Sequence, residues 1–414
     1  MNQIYKENIF FLLFLFLPIS IVIGSSVSLV NLILINFFFL IVLLTQRKFD
    51  FINHKTIKLI LILYLYLIFN SFISQNYEIG LARNIGFLRI VILFIFINYF
   101  FFYHKKKEEK LLNLWTLLLS IFIIDIFTEH FSGSNLLGWG DPDQEGSYGL
   151  RITSFFKNEP IAGAFLSGFI FLIFGHFLKS HNKNFYPIIF LIIAFTALIF
   201  TGERSNTIKI FLGIIIFFFL VDFIKIRTKI ILSLLFIFVF GLILHQSEYL
   251  HTRYVGQLYN KINTKEKLKK FEEQNIYIKL YKSGYAVFKN YPIFGVGNKN
   301  YRIETCRNPS KQIQFNYQCL THPHQVYVEF LSEHGVVGTI IILGILFFLM
   351  FKILRNILFS KDYIQIGTFV FVLINFTPLL PSGSFFGDFN TNIFWINFSI
   401  MFACNKKTNI FAKN

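Results

Sequence analysis

Uninterrupted apolar runs of about 17–22 residues recur along this 414-residue chain, and no other feature narrows its possible folds as much. At a rise of about 1.5 Å per residue, a helix of that length matches a hydrocarbon layer roughly 30 Å thick. The runs fall at 8–24, 27–45, 57–74, 84–103, 111–128, 161–178, 185–201, 207–223, 229–246, 335–354, 363–380 and 388–404. None alternates apolar and polar positions as a barrel strand would. The prediction is an all-α, polytopic integral membrane protein of about twelve helices, one membrane domain over 1–414. A hydrophobic content of 55% agrees, since soluble domains average roughly 45–50%. The 58 Phe residues read as apolar filler on lipid-facing helices.

The net charge of +17 invites a nucleic-acid reading, but the placement of the basic residues argues against one. They gather in alternate short connections: Arg47, Lys48, Lys55 and Lys58; Lys105, Lys106, Lys107 and Lys110; Lys179 and Lys183; Lys225, Arg227 and Lys229; Lys352, Arg355 and Lys361; Lys406, Lys407 and Lys413. Short loops rich in Lys and Arg stay in the cytoplasm, so both termini are predicted there. The first apolar run lacks a small-residue cleavage site and leads straight into the second, so it is expected to remain as the first helix.

Two segments on the opposite side break the rhythm, a short one at 129–160 and a large loop at 247–334 between the ninth and tenth helices. Within the loop, 261–273 (KINTKEKLKKFEE) reads as a solvated amphipathic helix and 277–290 as a second helix that ends at Tyr291-Pro292 and Gly295-Val296-Gly297. The run from Thr321 to Gly335 reads as a loop entering the tenth helix. Cys306 and Cys319 share this loop, and a disulfide between them suits an oxidising compartment.

Ionisable groups near a hydrocarbon layer mark a pathway or site by default. Arg83, Arg89, Arg151, Lys157 and Arg204 lie on the outer face, where the rule for basic loops gives no reason for them. Guanidinium groups bind phosphate oxygens in a bidentate manner and keep their charge where solvation is poor. A cradle for a phosphorylated lipid is one reading; ion pairing of Arg204 with Glu203, or snorkelling, is the plainer one. His322 and His324 flank Pro323, so their rings need not point the same way. Either suits a general base for a hydroxyl, with Glu329 or Glu333 as its orienting carboxylate. A metal site is disfavoured, because no third and fourth ligand stands at a characteristic spacing.

The ordered motifs RITSFFKNEPIAGAFL (151–166), TGERSN (201–206), YPIFGVGNKNY (291–301), THPHQVYVEFLSEHGVVG (321–338) and PLLPSGSFFGDF (378–389) resemble the O-antigen ligase and polymerase superfamily. Its members are multi-helix glycosyltransferases acting on undecaprenyl-diphosphate-linked glycans. The likeness runs from about 80 to 404, with the ligase-related region at about 185–350, and it implies a GT-C-like arrangement with a large periplasmic loop. The family Arg after the seventh helix falls on Arg204, and the His of its His-Asn pair falls on His324, here followed by Gln325. Where the family often carries an Arg in the long-loop helix, this chain has Tyr277, with Lys279 or Lys282 as the nearest substitutes.

The resemblance implies a diphosphate-binding set of Arg204, Arg89, Arg83, Arg151 and Lys279, a catalytic pair of His324 and Glu329, and no metal, nucleotide or other cofactor. It also implies an inverting displacement in the bacterial inner membrane, with the active site periplasmic. The partners implied are a lipid-linked glycan donor and an acceptor, either lipid A-core (ligase, favoured) or a growing glycan (polymerase), with a chain-length regulator as a further candidate. The reading from another class is a transporter of lipid-linked glycan or small solute, against which stands the lack of repeated halves or matched broken helices.

Overall fold

The computed structural model describes residues 3–140, 151–157, 159–181, 185–222, 225–257, 259, 263–307 and 309–412. Parts of the predicted segments lie outside the described residues: 141–150 and 158 of 129–160, 223 of 207–223, 258, 260–262 and 308 of 247–334, and with them 261–262 of 261–273.

All twelve apolar runs are helical at least in part. The first divides at Phe16 into α1 (Gln3–Leu15) and α2 (Leu17–Ile23), with Pro18 in the first turn of α2, where its missing N–H breaks no helical bond. There follow α3 (Ser25–Gln46), α4 (Lys55–Phe72), α5 (Tyr77–Gly86), α6 (Leu88–Tyr103), α7 (Lys105–Ser132), α8 (Ala162–His181), α9 (Tyr186–Phe200), α10 (Arg204–Leu220) and α11 (Ile226–Gln246). The large loop holds α12 (Glu248–His251), a π-helical turn at Thr252–Gly256, α13 (Lys265–Gln274), α14 (Ile276–Asn290), α15 (Tyr301–Cys306) and α16 (Pro309–Phe315). The chain closes with α17 (Val326–Ser360), α18 (Tyr363–Ile374) and α19 (Asp388–Ala403).

Among the described residues, seven helical stretches are long and apolar enough to cross a membrane: Ser25–Gln46, Lys55–Phe72, Tyr77–Tyr103, Lys105–Ser132, Ala162–Ser180, Ile226–Gln246 and Val326–Ser360. The chain is a polytopic membrane protein. The remaining predicted runs form shorter helices. Helix α18 is packed closely into the centre, where small residues let backbones approach. A Cβ on Gly367 would meet the carbonyl of Phe171 at 2.1 Å, and one on Gly175 would meet that of Tyr363 at 2.3 Å.

One boundary differs from the sequence expectation in a way that matters for the site. The segment read as a loop up to Gly335 is helical from Val326, because the Gln325 side chain accepts the N–H of Val328 at 2.9 Å and caps the helix. Glu329, Glu333 and His334 are therefore helical and fully buried. Helix α17 then breaks at Gly335 (φ 62°, ψ −167°). The Pro292–Gly297 turn lies along the break and pairs with the freed groups: Val296 N–H donates to Ser332 O at 3.0 Å, Gly297 N–H to Glu333 O at 2.9 Å, and Val336 N–H to Pro292 O at 2.8 Å. The two strings of backbone touch, so a Cβ on Gly295 would sit 2.3 Å from the Glu333 carbonyl carbon. A broken helix is tolerable where neighbouring chain satisfies its backbone in this way.

The loop is tied to itself by a disulfide between Cys306 and Cys319. Beside it, buried Glu304 accepts from Gln75 Nε2 at 2.7 Å and from Lys311 Nζ at 3.0 Å, which fastens the loop to the start of α5.

Candidate active site

The turn between α9 and α10 is three residues long, Thr201 to Glu203, which brings Arg204 to the first position of α10 at the end of the bundle that carries the large loop. Glu203 is not the partner of Arg204. Its carboxylate accepts the Gly163 N–H at 2.6 Å and the Asn206 side-chain amide at 2.6 Å, which pins the starts of α8 and α10 together. Burial pushes the Glu203 carboxyl up to about 7, against the pull of those two donors and of Arg151.

Arg204 is held instead by the π-helical turn. Its Nη1 donates to Arg253 O at 3.1 Å, and Arg253 Nε donates to Gly202 O at 3.0 Å, so each arginine is fixed by the other's backbone segment. Arg151, Arg204 and Arg253 line one cavity of about 560 Å³, shared with Lys209, Tyr277 and His324. Burial, then the neighbouring Arg151 and Arg204, lowers the pKa of Arg253, as expected for like charges gathered in a poorly solvated place. Arg151 Nε is buried without a hydrogen-bond partner. Such a set has the means to bind an anion, since Arg204 and Arg253 are held in place by backbone carbonyls, Arg151 Nε has no partner, and the carboxylate beside them, Glu203, is largely engaged by Gly163 and Asn206.

His324 adopts a left-handed conformation (φ 56°), and its carbonyl accepts the Ser382 N–H at 2.9 Å. The proline between the two histidines does not part them: the rings of His322 and His324 lie 3.9 Å apart, tilted by 38°. The His324 ring also meets Tyr277 edge-on, with centroids 6.0 Å apart. Burial first and His322 second lower His324 to about 4, with Glu329 acting in the opposite sense. The ring is thus neutral at physiological pH and able to accept a proton.

Glu329 lies behind His324 and does not line the cavity. Its carboxylate accepts Ser384 Oγ at 2.6 Å and the Phe385 N–H at 2.9 Å, while Lys299 Nζ donates to the same Ser384 hydroxyl. It shapes the Pro381–Asp388 loop that pairs with the His324 backbone. Arg83 and Arg89 hold the far end of that loop. Both donate to Asp388 Oδ1, at 2.7 and 2.6 Å, and Arg83 Nε donates to Phe386 O at 2.8 Å. Neither borders the large cavity.

Lys279 and Lys282 also lie off the cavity, whereas Tyr277, Ile278 and Tyr281 line it. The reason is helical phase on α14, since 279 falls about 200° round the axis from 277. The sequence reading missed Arg253. Its signal was an arginine set among Tyr249 and Tyr254 immediately after an apolar helix, but only the π-helical turn directs it to Gly202.

Residues 189–343 match a protein-family model described as O-antigen ligase. The matched stretch runs from α9 into α17 and contains Arg204, Arg253 and His324, in agreement with the superfamily that the motifs resemble. No curated protein matches the chain.

Proposed function

We propose, from the O-antigen ligase region at 189–343 and the superfamily membership it supports, that this chain transfers a glycan from undecaprenyl diphosphate to an acceptor hydroxyl, with lipid A-core as the acceptor. A glycosyltransferase-like enzyme of the ligase or polymerase type is what the family match supports, and the lipid acceptor is the part of the reading that the reconstitution below decides. The observation that carries the reading is the meeting of Arg151, Arg204, Arg253 and His324 in one cavity, drawn from four separate parts of the chain.

The acceptor oxygen attacks the anomeric carbon, the bond from that carbon to the diphosphate oxygen breaks, and undecaprenyl diphosphate leaves with the electron pair. One in-line displacement inverts the anomeric centre. The three guanidinium groups stabilise charge that grows on the leaving diphosphate, an effect worth about 3 kcal/mol per donor. Neutral His324 takes the acceptor proton. Glu329 acts at one remove, holding the Pro381–Asp388 loop and, through it, the His324 backbone. With cations at the leaving group, the step needs no metal. The distribution of basic loops supports cytoplasmic termini and a periplasmic cavity in the inner membrane, and a chain-length regulator is a partner if the product is a polymer.

The test is reconstitution of the purified protein with an undecaprenyl-diphosphate-linked repeat unit, with lipid A-core in one arm and donor alone in the other. Glycosylated lipid A-core supports the ligase; a ladder of longer undecaprenyl-linked glycans replaces it with a polymerase; no release of undecaprenyl diphosphate with any donor overturns the enzyme reading.

A further inference from the structure

Below the arginines, the cavity holds a lysine that no part of the foregoing site uses. Lys209 lies in α10 five residues after Arg204, about 7.5 Å further along the helix. It lines the cavity and is only 7% exposed, and among the described residues it has neither a carboxylate nor a hydrogen-bond partner. Five residues into α8 stands Ser167, which lines the same cavity and whose Oγ is buried and unpartnered. The Gly163 to Glu203 bond joins the starts of α8 and α10, so the two side chains lie at similar depth. The cavity they share is also lined by apolar Phe371, Ile374, Ile393 and Phe394.

A buried lysine without a counter-ion is costly to maintain, and a site that uses it is the default explanation. We propose that Lys209, with Ser167, forms a second anion subsite at the base of the cavity, which binds the phosphate esterified to the prenyl chain. This rests on the reading that the cavity takes a prenyl diphosphate. The apolar lining receives the first part of the chain, Lys209 the prenyl-side phosphate, and the arginines the sugar-side phosphate. A point-charge ammonium suits one phosphate in a narrow space, whereas the planar guanidinium groups suit the exposed one that carries the sugar.

The experiment measures binding of farnesyl diphosphate and farnesyl monophosphate to the purified full-length protein, in the wild type, Lys209→Met, Lys209→Arg and Arg204→Ala. Methionine suits a buried position, and an unchanged thermal midpoint or a higher one verifies the fold. The expected result is that Lys209→Met weakens both ligands by about tenfold or more, since a hydrogen bond to a charged group is lost. Lys209→Arg retains most of the affinity. Arg204→Ala weakens the diphosphate and spares the monophosphate, whose only phosphate is the prenyl-side one. Wild-type monophosphate binding in Lys209→Met, with the diphosphate still dependent on Arg204, overturns the subsite and leaves the arginine cradle standing. Diphosphate binding indifferent to Arg204 but dependent on Lys209 overturns the cradle instead. Failure of the wild type to bind either ligand overturns both.

Discussion

Two groups of arginines stand at the same end of the bundle and differ in one respect, their counter-charge. Arg83 and Arg89 converge on a single oxygen of Asp388 and fasten the loop that follows Pro381. Arg151, Arg204 and Arg253 converge on a cavity, and Glu203, the carboxylate beside them, is tied to Gly163 and Asn206. A cation whose charge is met inside the protein is part of the scaffold. One whose charge is unmet, in a poorly solvated space large enough for a ligand, is available to bind. The difference separates binding from scaffolding among side chains of identical chemistry.

The comparison is sharpest at its reacting end. His324→Ala should lower turnover about 10²- to 10⁴-fold with little change in donor KM, since general-base assistance is worth that much; His322→Ala, which leaves the cavity ring in place, should cost far less. In the pH profile, His324 at about 4 keeps its proton-accepting form across the neutral range, so kcat should fall only as pH drops through about 4. An inflection near 6.5 would remove His324 from the role. Glu203 acts in the other direction. Its carboxylate loses charge as pH falls through about 7, which leaves Arg151 less opposed, so donor KM should decrease there and Glu203→Gln should abolish that change.

Next in size, Arg253→Ala should cost about 10²-fold in kcat, the scale for loss of one fixed donor at a developing charge. Arg83→Ala serves as its counterpart, with the main effect on stability. Equal losses of transfer in both variants, at equal thermal midpoints, would break the distinction between the two groups. A smaller effect is expected from Asp388→Asn. It leaves two half-buried arginines without their acceptor charge and should destabilise the protein by roughly 1–3 kcal/mol. Donor affinity should hold once the fold is verified, and a loss of affinity without loss of stability would place Asp388 in the binding site.

Much of this was legible along the chain. The apolar runs set the helices because backbone polar groups in hydrocarbon must be satisfied within the helix itself. Arg204 and Arg151 could be found because they stand where the rule for basic loops does not call for them, and both reach the cavity together with His324. The counter-charges could not be read. Asp388 follows Arg83 by about three hundred residues, and only tertiary packing brings them to 2.7 Å. Arg253 was one basic residue among many in the large loop, and its importance depends on the π-helical turn. The close, tilted approach of His322 to His324 across a proline likewise goes with the left-handed backbone at 324, which the dipeptide pattern does not specify.

Lys279 gives the smallest predicted effect and the most direct check on that lesson. Chain position alone makes it a natural replacement for a long-loop arginine, two residues from Tyr277, and its charge is the correct sign. Helix α14 turns about 100° per residue, however, so a position two residues on faces almost the opposite way, and a basic residue there cannot reach an anion that Tyr277 and Tyr281 border. Lys279→Ala and Lys282→Ala should each leave kcat and donor KM within about twofold of wild type, with stability changed by no more than about 0.5 kcal/mol, as for ordinary surface substitutions. A tenfold rise in donor KM for Lys279→Ala would mean that α14 rotates when donor binds. The converse variant, Tyr277→Arg, places a guanidinium on the cavity side. It should rescue part of the loss in Arg253→Ala if what the cavity needs at that wall is a third fixed positive charge.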